Sequence, residues 1–169
     1  ADRMEGGAGN DTFYVDNSGD VLVETANNGT DTVYSSLTLD FRSHSQHLEV
    51  LNLTGSGNIN GTGNGLANTI RGNSGDNVLN GAWGNDTLIG GDGNDTFRDD
   101  NGADRMEGGA GNDTFYAGAG SDAMYAGQDT DEDIFIFSAL TDSVNGINRD
   151  RIYQFDSGED NLNFEALDA

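Results

Sequence analysis

From residue 63 to residue 125 the chain reads in consecutive frames of nine: GNGLANTIR, GNSGDNVLN, GAWGNDTLI, GGDGNDTFR, DDNGADRME, GGAGNDTFY, AGAGSDAMY. The frame also occurs near the start, as GGAGNDTFY over 6–14 and VDNSGDVLV over 15–23, and two more copies, ending at Tyr34 and Ile136, carry a two-residue insertion in the turn. A period this short cannot build a mixed globular core. It points to a solenoid, in which one small unit buries its apolar side only by stacking on its neighbours.

Each position has a physical reading. The eighth is apolar throughout: Phe13, Leu22, Val33, Ile70, Leu79, Leu88, Phe97, Met106, Phe115, Met124 and Phe135. The sixth is aspartate in nine of these eleven frames and asparagine (Asn68, Asn77) in the other two. Six residues rich in Gly, Asn and Asp supply the positive φ of a tight turn. The last three, polar–apolar–polar, make a short strand with its middle side chain inward. Two frames close one coil, so equivalent strands recur every 18 residues and stack as two parallel sheets. The fold class expected is all-β, a parallel β-roll or β-solenoid. The absence of proline fits, because each interior strand residue must donate to the ladder.

Charge decides the chemistry. A formal net charge of −23, with arginine the sole basic residue apart from two histidines, repels phosphate and argues against a nucleic-acid partner. Without lysine there is no P-loop and no Schiff base, and without cysteine no disulfide, thiolate metal site or thiol nucleophile. No apolar run approaches the ~18 residues of a membrane span. Such a composition also suits a disordered chain, but 14 aromatic residues and the strict period argue for order. Stacking coils places carboxylate above carboxylate, Asp86/Asp104/Asp122 on one edge and Asp95/Asp113/Asp133 on the other. A cation has to sit between them. Hard oxygen donors without sulfur and with few imidazoles suit calcium, with about six ions as the expected complement. A column one side chain deep is a thin core, so calcium is expected to be the folding switch.

These nonapeptides, GGxGxDxUx with U apolar, resemble the RTX repeats over about 1–34 and 61–137. The resemblance implies a right-handed parallel β-roll with calcium between turns, in a bacterial protein exported by a type I system and therefore extracellular. It implies carboxylate ligands from Asp11, Asp86, Asp95, Asp104, Asp113 and Asp122, with Asp20, Asp31 and Asp133 weaker because their turns depart from the pattern. Carbonyl ligands would come from Gly7, Gly9, Gly84, Gly91, Gly93, Gly109, Gly111 and Gly120. Asn77 joins the set as a weaker amide ligand; like Asn68 at the equivalent position, it makes the first coils of the second run poorer calcium turns. The tail is similar to the segment that closes the roll in serralysin-type proteases and alginate epimerase modules. The expected organisation is thus a first run of coils over 1–34, a calcium-poor stretch over 35–60, the main roll over 61–137 and a capping segment over 138–169. The middle stretch either continues the solenoid as wider coils, as the spacing of Val33, Leu51 and Ile70 favours, or is an insert between two rolls. Asp150, Asp156 and Asp160 read as a solvated acidic loop rather than a further ion site.

Two further observations shape the functional reading. The block DRMEGGAGNDTFY occurs twice, at Asp2–Tyr14 and again 102 residues later, so the chain reads as a duplicated roll end. The chain also begins inside a repeat, which suggests a monomeric module covalently attached to an upstream domain of a secreted protein, such as an epimerase, lipase or protease. The module itself is expected to be non-catalytic, since the repeat aspartates already have a structural role. His44 and His47 lack the glutamate of an HExxH site, and the acidic run 129–133 lacks the glycine and terminal glutamate of an EF-hand. A second reading is an accessory module for an anionic polysaccharide, with Arg71, Trp83, Arg98 and Arg105 as candidate contacts. Its competitor is plain: Thr favours strands and Arg balances local charge.

Overall fold

Triplets such as Thr96-Phe97-Arg98 and Thr114-Phe115-Tyr116 form three-residue strands whose middle residue alone is fully buried. The alternation of a strand forces this: one inward side chain per triplet. In the computed structural model, which describes residues 1–26, 29–137 and 149–164, these strands stack into a right-handed parallel β-roll. One sheet has eight strands, ordered from Thr12–Val15 through Thr32–Ser35, Val50–Leu53, Thr69–Arg71, Thr87–Asp92, Arg105–Ala110 and Ala123–Tyr125 to Arg151–Tyr153. The facing sheet has seven, from Leu39–Asp40 through Gly61–Thr62, Val78–Asn80, Thr96–Arg98, Thr114–Tyr116 and Ile134–Ile136 to Asn161–Asn163. No helix among the described residues is long and apolar enough to cross a membrane, which says nothing of membrane-spanning strands.

Register follows the repeat. Leu88 lies between Ile70 and Met106, and Phe97 between Leu79 and Phe115. Every position-eight residue named above is buried. Phe97, Phe115 and Phe135 stack with ring centroids 4.8 and 4.7 Å apart. Each fully buried side chain contributes ~1.5–3 kcal/mol, and the central ring of a stack has neighbours above and below. Phe115→Ala is therefore expected to cost about 3–5 kcal/mol, measured by denaturant unfolding in millimolar calcium.

Between residues 35 and 60 the eight-stranded sheet continues without a break, whereas the facing sheet starts afresh at Leu39–Asp40, because Val21–Val23 before it pairs only with Arg3–Glu5. Val33 pairs with Leu51 and Leu51 with Ile70, while Leu39 pairs with Gly61 and Gly61 with Leu79. The coil here is wider, and Phe41, on a short 3-10 turn, and Leu48 fill its interior. Asp40 caps that turn by accepting the Arg42 N–H at 2.9 Å.

The duplicated block lands on opposite sheets. Thr12–Val15 belongs to the eight-stranded sheet, whereas its copy Thr114–Tyr116 belongs to the seven-stranded one. Identical residues serve either side because a triplet specifies only which side chain turns inward. The number of half-coils since the previous strand specifies the sheet.

Backbones of successive turns approach closely. Gly109 has φ +120°, and a Cβ there would collide with the Gly91 carbonyl one coil below. Gly109→Ala combines a disfavoured φ with that collision, so a loss of at least ~1 kcal/mol is expected, read as a lower Tm with calcium present. At the far end, Arg151–Tyr153 and Asn161–Asn163 extend both sheets. The capping segment expected over 138–169 falls partly outside the described residues, at 138–148 and 165–169.

Candidate metal centre

Position six stands one residue before each strand, so its side chain lies at the edge where turn becomes sheet. Along the eight-stranded sheet these residues form a ladder. The backbone N–H of Asp86 donates to Oδ1 of Asp104 at 2.6 Å, that of Asp104 to Asp122 at 2.9 Å, and that of Asp122 to Asp150 at 2.9 Å. Near the start, Asp11 donates to Asp31 at 2.8 Å and Asp31 to Glu49 Oε2 at 2.9 Å. Along the seven-stranded sheet Asn77 donates to Asp95, Asp95 to Asp113 and Asp113 to Asp133, each at 2.8 Å, and Asp133 to Asp160 at 3.2 Å. Asp20 accepts the N–H groups of Asp2, Asp16 and Asn17, which together hold its carboxyl below the ordinary range, led by Asp2.

One oxygen of each accepting rung is thereby fixed, including that of Asp86, which accepts the Asn68 N–H at 2.6 Å. The other is not. Oδ2 of Asp11, Asp86, Asp95, Asp104, Asp113 and Asp122 is buried and accepts no hydrogen bond. Burial is the main force on the pKa values, pushing Asp86, Asp95 and Asp122 up to about 7, Asp113 to about 8 and Asp133 to about 6. Asp99 rises to about 10, from burial first and then from the nearby negative charges of Asp104 and Asp86. Among the described residues Arg3, Arg42 and Arg105 pair with Glu5, Asp40 and Glu107, away from these oxygens. Buried, aligned, orphaned carboxylate oxygens suit a hard divalent cation. Carbonyls lie between turns as well: a Cβ on Gly102, Gly109 or Gly111 would meet the carbonyl of Gly84, Gly91 or Gly93 one coil below.

The amide rungs differ. Asn68 Nδ2 donates to the carbonyls of Leu48 and Glu49, and its Oδ1 accepts the Asn64 N–H. Asn77 Nδ2 donates to the Ile59 carbonyl and Asn73 Oδ1, while its Oδ1 accepts the Asn73 N–H. These turns satisfy themselves with protons where the aspartate turns have bare oxygens.

The RTX calcium-binding nonapeptide repeat, in a family model of four copies, matches residues 1–23, 62–97 and 99–132. The chain belongs to the RTX family. No curated protein matches it. RTX repeats bind calcium, and the roll is a calcium-binding structural module. The RTX motif names the position-six aspartates, but three rungs of the observed ladder lie outside it. Glu49 occupies the slot in the wide coil, 18 residues after Asp31, as a glutamate outside the aspartate pattern of the motif. Asp150 and Asp160 take the last rungs because each precedes a polar–apolar–polar triplet, a signal hidden by spacings of 28 and 27 residues. Asp156 closes a local turn, accepting the Gly158 N–H at 2.8 Å.

Of the other candidates, Arg71 and Arg105 stand on the outer face of the eight-stranded sheet and Arg98 on the facing sheet. Arg105 binds Glu107 at 2.6 Å and lies over the Tyr125 ring at 3.9 Å; Arg98 lies over Tyr116 at 4.9 Å. Trp83 is 65% exposed in a turn, beside Arg42 and Gln46 in a cleft of about 370 Å³.

Proposed function

We propose that the chain is a calcium-dependent folding module of a type I-secreted extracellular protein. Its coils over 1–34 and 61–137 take calcium through the position-six carboxylates, 35–60 serves as a calcium-poor spacer, and 138–169 caps the roll. The supporting observation is the row of buried, unpartnered Oδ2 atoms from Asp86 to Asp122. Inside a cell, where calcium is scarce, those charges oppose stacking and leave the chain loose enough to export. Outside, where calcium is millimolar, they become the cohesion of the roll, which then nucleates folding of an attached upstream domain. Calcium is thus the structural cofactor, with about six ions expected.

The test is a reporter enzyme fused upstream of the chain and refolded from denaturant, with millimolar calcium or with chelator. Calcium is expected to raise the yield of active reporter in the fusion and leave the reporter alone unchanged. Equal recovery in both conditions overturns the proposal. The exposed Trp83 beside Arg42 supports a second reading, contact with an anionic polyuronate. It predicts calorimetric heat with alginate oligomers at constant calcium, lost in Trp83→Ala; no heat with the unmodified chain dismisses it.

A further inference from the structure

Position one is glycine in six of the eleven turns, and Val15, Ala117 and Ala126 in three more, so those turns hold nothing larger than valine there. In the glycine turns the space inside belongs to the position-six side chain. A Cβ on Gly81, Gly90 or Gly108 would collide with Oδ2 of Asp86, Asp95 or Asp113. Two turns carry an acid there instead: Glu24, ahead of Asp31, and Asp99, ahead of Asp104. Both are buried, each 6% exposed. They are also built alike. The Thr25 and Gly7 N–H groups donate to Glu24 Oε1 at 2.7 and 3.3 Å, and the Asp100 N–H donates to Asp99 Oδ1 at 2.9 Å. The remaining oxygens, Glu24 Oε2 and Asp99 Oδ2, are buried with no hydrogen-bond partner.

Those oxygens converge on the ladder. Asp11, Glu24 and Asp31 each offer an oxygen within 4.8 Å of the other two, and so do Asp86, Asp99 and Asp104. Oδ2 of Asp11, Asp86 and Asp104 is likewise buried and unpartnered. None of the arginine pairs given above reaches either group. We propose that Asp11–Glu24–Asp31 and Asp86–Asp99–Asp104 are two hard-cation sites of three carboxylates each, completed by position-one acids that lie outside the repeat signature. Three negative charges hold a divalent cation more tightly than two and are matched in full by a trivalent lanthanide. These sites therefore fill before the two-carboxylate turns. The inference rests on the reading that ladder carboxylates bind calcium.

Trp83, the single tryptophan, lies in the turn leading to Asp86 and bridges to Asn101 in the turn between Asp99 and Asp104. Terbium emission excited through tryptophan therefore reports the second site. Titration of the full chain is expected to show a tight first phase. Asp99→Gly, which restores the residue common at this position, and Asp99→Asn, which keeps the shape without the charge, should each raise its dissociation constant at least tenfold. Far-UV circular dichroism in millimolar calcium should stay unchanged. Calorimetry with calcium should likewise lose one tight site in Glu24→Gly and in Glu24→Gln. Variants that keep the tight phase overturn this inference alone. An unmodified chain that takes up neither calcium nor terbium overturns the calcium-binding reading beneath it.

Discussion

Stripping calcium with a chelator at pH 8, where the raised ladder carboxyls are largely ionised, should abolish the cooperative thermal transition of the chain and most of its β-type circular dichroism. An ion at ten times its Kd adds about 1.4 kcal/mol to the folded state, so the proposed complement of about six would add roughly 8 kcal/mol. A whole domain is ordinarily stable by only ~5–15 kcal/mol. The apolar column cannot make up the difference, because each triplet contributes one inward side chain and, among the described residues, the sheets have no second layer behind them. The loss should also be uneven. Asn68 and Asn77 satisfy their amides on backbone and side-chain atoms of neighbouring turns, and the coils there join the wide segment filled by Phe41 and Leu48. Hydrogen exchange in chelator should leave the strands Thr69–Arg71 and Val78–Asn80 as the slowest and expose Thr96–Arg98 and Thr114–Tyr116 first. A chain that keeps its transition and its exchange protection without calcium would refute the metal-cohesion account.

The roll was legible because its local rules are strict. A polar–apolar–polar triplet after an Asx/Gly-rich turn has one way to bury its middle residue, so Leu79, Phe97 and Phe115 could be placed in one column from spacing alone. The position-six aspartates were legible for the same reason. What the spacing did not disclose were residues that do the same work under another identity or at another interval. Glu49 takes the rung at the regular 18-residue interval but as a glutamate, accepting the Asp31 N–H at 2.9 Å. Asp150 and Asp160 reach it after loops that break the period but leave the strand register intact. Asp99 and Glu24 stand at a position that is glycine in most turns, and only the fold shows that each side chain comes within reach of two other carboxylates. The amide turns were hidden in the opposite sense. Asn77 looks like a weakened aspartate in the sequence, yet its Nδ2 gives the turn donors that a carboxylate lacks.

Acid should act in opposite directions with and without calcium. Burial raises Asp86, Asp95 and Asp122 to about 7 and Asp113 to about 8 in the folded chain, against ~3.9 for an aspartate in an unfolded one. Between those values the metal-free folded state binds more protons than the unfolded state, so its stability is greatest near pH 4 and declines as pH rises toward 7–8. A proton on Oδ2 turns an orphaned acceptor into a donor, much as the Asn77 amide does. Calcium reverses the sign, because it requires the same oxygens deprotonated and competes with protons for them. With calcium present, stability should therefore rise over the interval in which the calcium-free chain loses it. Thermal melts from pH 4 to pH 8, run in chelator and in millimolar calcium, should give two curves of opposite slope that cross. Parallel curves would mean that the ladder carboxylates are not the groups that calcium engages.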